Sequence, residues 1–150
     1  MSAHHATGDR PAAFAGENAT GGTILLVEDE ACVRKPITRF LILNGYRLLT
    51  AETGLRAISL WQRHRHEIDL LLTDVILPDG PDGRQLSGQF QAEKPTLKVI
   101  YTSAFAFDDS NELECDPEDI HFVPKPYRPD QILSAVRFAL ERDSRNVALC

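Results

Sequence analysis

The sequence predicts an α/β fold in which a parallel sheet is covered by helices. Three observations carry that prediction: short apolar runs recur along the chain, amphipathic segments separate them, and polar or acidic residues follow the runs. Strands of a parallel sheet are buried on both faces, so they read as nearly unbroken apolar stretches rather than as alternating ones.

Residues 1–22 are rich in Ala, Gly, Thr and polar side chains without an apolar period. Such a segment buries too little surface to offset the entropy of ordering, and it is expected to be a flexible N-terminal tail. From Thr23 the texture changes. Ile24 to Val27 forms the first apolar run, Ile68 to Thr73 the third, and Val99 to Tyr101 the fourth. Leu48-Leu49 and Phe122-Val123 are shorter signals for the second and fifth strands, and Pro124 suits a short strand at a sheet edge because it lacks a ladder donor.

Between these runs, Val33, Ile37, Phe40 and Leu41 recur at helical spacing, and Asn44-Gly45 supplies the stop. A second helix, opened by Thr53, carries Leu55, Ala57, Ile58 and Trp61. Its expected end coincides with Arg63-His-Arg-His66, where cations favour the negative end of the helix dipole. Leu86 and Phe90 support a third helix. Phe107 to Ile120 is acidic, contains Pro117 and has little period, so any helix there is short. The last helix is marked by Pro129 in its first turn and an apolar stripe of Ile132, Leu133, Val136, Ala139 and Leu140. The patterned region therefore spans residues 23–142, and 143–150 read as a C-terminal tail.

Composition narrows the function. The 150 residues are 43% hydrophobic, enough for one core, and the net charge of -6 opposes direct binding to nucleic-acid phosphates. No stretch approaches the ~20 apolar residues of a membrane span. Cys32, Cys115 and Cys150 are odd in number and widely spaced, which fits free thiols in a reducing cytoplasm better than disulfides or a zinc site.

In a sheet of this kind, ligands gather at the carboxyl ends of the strands where the strand order reverses. Here Glu28-Asp29-Glu30 ends the first run, Asp74 the third, Thr102-Ser103 the fourth, and Lys125 follows the fifth. If the first and third strands are neighbours, Glu28, Asp29 and Asp74 converge. Clustered carboxylates raise one another's pKa unless a cation sits among them, and a hard ion such as Mg²⁺ takes oxygen ligands while leaving room for phosphate. Phosphoryl transfer needs a nucleophile, charge neutralisation and fixed donors. Asp74, the ion with Lys125, and the Thr102 hydroxyl match those needs. Taken singly, each of these residues is an ordinary solvated or locally bonded group. Their placement at the ends of four successive strand candidates is what points to chemistry.

The stretches Ile24-Leu-Leu-Val-Glu-Asp-Glu30, Leu71-Leu-Thr-Asp-Val-Ile-Leu-Pro-Asp-Gly80, Val99-Ile-Tyr-Thr-Ser-Ala104 and Phe122-Val-Pro-Lys-Pro-Tyr127 resemble response-regulator receiver domains. The local wording is most similar to single-domain and hybrid-kinase receivers. The resemblance implies a doubly wound, flavodoxin-like sheet of five parallel strands in the order 2-1-3-4-5, with helices on both faces. It implies a signalling switch without an output domain, in which Asp74 accepts a phosphoryl group from the phosphohistidine of a sensor histidine kinase or histidine phosphotransfer protein. It further implies Mg²⁺, or Mn²⁺ in its place, bound directly by Asp29 and Asp74, through water by Glu28, and by the Ile76 backbone carbonyl. Lys125 and the backbone of Ile76 and Ser103 would contact the phosphoryl group, Thr102 and Phe122 would form the switch, and the Lys125-Pro126 bond would be cis. A downstream protein would read the switch, and any homodimer would use the surface near the last helix.

Departures from the family pattern qualify this. Glu28 stands where Asp is commoner, the loop Pro78 to Gly83 is lengthened, Phe122 lacks a tyrosine hydroxyl, and Asp108 to Asp119 is unlike the usual fourth helix. Ile76 and Ala104 cannot orient a water, so slow self-dephosphorylation is expected. A phosphatase resembling the haloacid dehalogenases also uses an aspartyl phosphate, but it would want a second Asp where Ile76 stands. A degenerate receiver acting only as a phosphorylation-independent binding module is opposed by the presence of Glu28, Asp29, Asp74, Thr102 and Lys125 together.

Overall fold

The apolar runs form a sheet whose central strands, at 23–27 and 70–74, are buried along their whole length. The computed structural model describes residues 13–14, 21–104 and 120–149. Its elements are β1 (Ala13–Phe14), β2 (Thr23–Val27), α1 (Ala31–Leu43), β3 (Arg47–Ala51), α2 (Gly54–His64), β4 (Leu70–Asp74), α3 (Gly83–Glu93), β5 (Lys98–Ser103), β6 (Ile120–Pro124) and α4 (Pro129–Leu149). The sheet order is β1-β3-β2-β4-β5-β6. The five strands from β2 to β6 are parallel and follow the expected order 2-1-3-4-5. β1 adds a sixth strand that pairs antiparallel with β3, Ala13 opposite Leu49 and Phe14 opposite Leu48. It lies within the segment read from sequence as a tail, where two residues carry no period to detect.

Alternation along each strand divides the core in two, because successive side chains point to opposite faces. On one face Leu25 and Val27 of β2 pack with Leu71, Val99 and Tyr101 under Trp61 of α2 and Phe90 of α3. On the other, Ile24 and Leu26 pack with Leu70, Leu72 and Ile100 under Ile37 and Leu41 of α1 and Ile132 and Val136 of α4. The Trp61 and Phe90 rings stack 4.3 Å apart, and the indole N–H donates to Glu93 at 3.0 Å.

Helix boundaries follow local chemistry. The Thr53 side chain accepts from the Arg56 N–H, as its position before α2 predicts. Arg63 and His64 occupy the last turn of that helix, and the Lys94 ammonium reaches the carbonyls just beyond it, at 2.9 Å from Arg65 and 2.6 Å from Ile68. α3 is opened by a reciprocal capping box between Asp82 and Gln85, a signal the apolar spacing of Leu86 and Phe90 does not contain. Asn44 and Gly45 (φ 97°) close α1. The backbone of α4 continues to Leu149, past the end of the apolar stripe at Leu140. The acidic stretch Asp108 to Asp119 lies outside the described residues. Among the described residues no helix is long and apolar enough to cross a membrane.

Candidate functional site

The chain crosses from one side of β2 to the other between β3 and β4, so β2 and β4 are neighbours in register, with Val27 opposite Thr73. Residues that follow these two strands therefore meet at the carboxyl edge of the sheet. Glu28, Asp29 and Asp74 each place a carboxylate oxygen there, all within 4.8 Å of one another. Glu28 and Asp74 are buried, at 2% and 9% exposure, while Asp29 is exposed at the rim.

Lys125 reaches this cluster from the residue that follows β6. Its ammonium donates to Glu28 Oε1 at 2.6 Å and to Asp74 Oδ2 at 2.9 Å. The second Glu28 oxygen accepts the Glu30 N–H at 3.0 Å, and the Arg34 guanidinium donates to the Glu28 backbone carbonyl at 2.7 Å. The Ile76 N–H bonds to the Asp74 carboxylate. Lys125 is anchored by its own backbone N–H, which donates to the Ser103 carbonyl at 2.8 Å, and the following bond to Pro126 is cis.

Three carboxylates thus face one ammonium, an excess of two negative charges. Burial pushes both the Glu28 and the Asp74 carboxyl above their usual range, and the hydrogen bonds from Lys125 only partly offset it. The same two carboxylates hold the Lys125 ammonium well above its ordinary value, outweighing the opposing effect of its own burial. Burial and the nearby Glu28 charge push the Tyr127 phenol up to about 12, so it stays neutral beside the cluster. The donor set fits a hard divalent cation: every ligand is an oxygen, the charge excess matches, and Lys125 already stands in as a cation between two of the carboxylates.

The remaining site residues also lie where the sequence places them. Thr102 is buried on β5 directly opposite Asp74 in the ladder, and its carbonyl accepts the Val75 N–H at 2.9 Å. Phe122 lies opposite Tyr101 on β6, half-buried, with the two rings stacked 5.3 Å apart. Ser103 is buried, Ala104 is exposed, and Ile76 is 56% exposed at the rim. A cavity of about 560 Å³ opens beside Lys125, between Val33 and Pro36 of α1 and Tyr127. Cys32 lines it as an exposed free thiol.

Two contributors escaped the sequence reading. Arg34 holds the Glu28 backbone, and nothing in a helical Arg signals that reach. Gly83 underlies Asp74: a Cβ there would stand 2.2 Å from the Asp74 carbonyl oxygen, and the Gly83 N–H donates to Val75 at 2.9 Å. Gly83→Ala is expected to cost about 1–3 kcal/mol in urea denaturation, as other overpacked sites do. Because the clash is with backbone, it should also displace the end of the Asp74 strand; amide resonances of 74–76 that stay unchanged would show that the strand end relaxes freely.

Comparison with known proteins agrees with this geometry. Residues 24–137 match the response regulator receiver domain family. Over 121 residues the chain is 33% identical to the sensor kinase CckA of Brucella abortus (strain 2308), covering 80% of this chain and 13% of that protein. It is 29% identical over 119 residues to the response regulator MprA of Mycobacterium leprae (strain TN), covering 79% of this chain and 51% of that one. The chain thus spans about half or less of these curated relatives. The solved receiver domain of the hybrid histidine kinase CckA superposes with a TM-score of 0.68 at 32% identity, covering 79% of this chain and 99% of that one. With the sheet order, the carboxylate cluster and the four matched strand ends in agreement, this chain belongs to the response regulator receiver domain family of two-component signalling.

Proposed function

We propose that the chain is a phosphoryl-accepting switch in which Asp74 takes a phosphoryl group from the phosphohistidine of a sensor histidine kinase or a histidine phosphotransfer protein. The observation that carries this reading is the Lys125 ammonium bound to both Glu28 and Asp74 at the carboxyl edge of the sheet. An Asp74 oxygen attacks phosphorus in line, the new P–O bond forms as the P–N bond breaks, and the imidazole leaves with the bonding electrons. Lys125 exchanges its contact with Glu28 for a phosphoryl oxygen, and the Thr102 hydroxyl and the backbone N–H groups of Ile76 and Ser103 donate to the others. Asp29 and Asp74 directly, Glu28 through water, and the Ile76 carbonyl would hold Mg²⁺, or Mn²⁺, which neutralises charge on the phosphoryl oxygens. Thr102 then draws towards the acyl phosphate, and the Phe122 ring follows it inward, which alters the surface read by a downstream protein.

Incubation with acetyl phosphate and Mg²⁺ tests this by intact mass. One phosphoryl adduct is expected, absent when EDTA is added, and decaying slowly because neither Ile76 nor Ala104 can orient a hydrolytic water. No adduct, together with no amide-spectrum change on adding beryllofluoride and Mg²⁺, would favour a phosphorylation-independent binding module.

A further inference from the structure

A second groove runs along the flank of α1 that faces β3, the flank away from Lys125. It has a volume of about 470 Å³, and its wall is built from two adjacent helical rows, Arg34, Thr38, Ile42 and Lys35, Arg39, Leu43, with Thr50 of β3 opposite. Arg34 is tied to the Glu28 carbonyl, whereas Lys35 and Arg39 are exposed and pair with no carboxylate among the described residues. Among the described residues no acidic side chain lines the groove. At its lower end Leu43 is 78% exposed, more than any other large apolar side chain in the described residues, and it adjoins half-buried Ile42.

On a chain of net charge -6, two cations that pair with no carboxylate among the described residues thus adjoin an exposed leucine. The two cations, the exposed leucine and the adjoining groove lie together on one flank of the helix. We infer that this flank of α1 docks a short acidic polypeptide segment of a partner protein, with carboxylates on Lys35 and Arg39 and an apolar side chain seated on Ile42 and Leu43. An extended polyanion is disfavoured, because the chain's overall negative charge repels a nucleic acid or an anionic membrane over a wide area. A groove of this size instead takes a few side chains, with the charges fixing register and the apolar contact supplying the hold.

The probe is a short fluorescein-labelled synthetic peptide with Glu on one helical face and Leu on the other, followed by anisotropy against the full chain. Saturable binding is expected, weakened at least tenfold by the double substitution Lys35→Glu, Arg39→Glu and independently by Leu43→Asp. Arg84→Glu on α3, outside the groove, should leave it unchanged. Urea midpoints near wild type keep the two groove variants interpretable, since all three residues are exposed. Equal binding by every variant, equal binding of a peptide with Gln in place of Glu, or capture of the chain by phosphatidylserine vesicles when the peptide fails to bind would each overturn the proposal.

Discussion

Asp74→Asn is expected to abolish the phosphoryl adduct completely while leaving the fold at least as stable as the wild type. Asparagine has the same shape and offers no carboxylate oxygen to attack phosphorus, so the Mg²⁺-dependent mass increase with acetyl phosphate should vanish. The effect on stability goes the other way. Burial raises the Asp74 pKa in the folded state, so its ionisation penalises folding in full above the folded pKa, and the penalty fades as pH falls through the folded value towards the unfolded one, below which it is gone. Removing the charge removes the penalty at neutral pH, and it leaves Lys125 to Glu28 alone, which lies 2.6 Å away. Thermal melts at pH 7 should therefore show an unchanged or higher Tm, with the difference shrinking in acid. A variant that still forms the adduct would move the acceptor elsewhere, whereas a variant that merely unfolds would contradict the charge balance described for this site.

How far such a site can be read in advance depends on whether its parts are local. Ile24 to Val27 and Leu70 to Leu72 announce themselves because full burial on both faces demands consecutive apolar residues, and the strand ends that follow them place Glu28, Asp29 and Asp74 without further information. Thr53 and Asn44-Gly45 are equally local, since caps are satisfied within one turn. What was missed is non-local or carries no period. The pairing of Phe14 with Leu48 depends on a strand edge formed elsewhere in the chain. The bond between Lys125 and Glu28 spans 97 positions, and the sequence marks only its two ends. Gly83 reads as a loop glycine until the backbone of Asp74 is seen pressed against it. The capping box of Asp82 and Gln85 is local and legible as an Asp three residues before a Gln, but it adds nothing to the weak apolar spacing of α3.

Lys125→Ala should expose the other half of the charge balance. Lys125 has its folded pKa raised above the unfolded value, so its contribution to stability is complete below the unfolded lysine pKa and would be lost only as pH rises through the folded one. At neutral pH the substitution therefore removes the whole of it and leaves Glu28, 2% exposed, and Asp74 facing each other without a counterion. Breaking a fully buried pair costs about 3–5 kcal/mol; Lys125 retains 13% side-chain exposure, so about 2 kcal/mol is the expected loss in urea denaturation at pH 7. The loss should shrink in acid, where the two carboxylates, already shifted upward, protonate and no longer need a cation. Mg²⁺ should recover much of it at neutral pH by supplying positive charge beside the same carboxylates. Adding Glu28→Gln to Lys125→Ala should restore stability by the same reasoning, yet the adduct with acetyl phosphate should stay scarce, because no ammonium remains to meet the phosphoryl oxygen. Recovery of both stability and phosphorylation in that double variant would mean that Lys125 serves only to balance Glu28, and that the transfer needs no cation from the residue that follows β6.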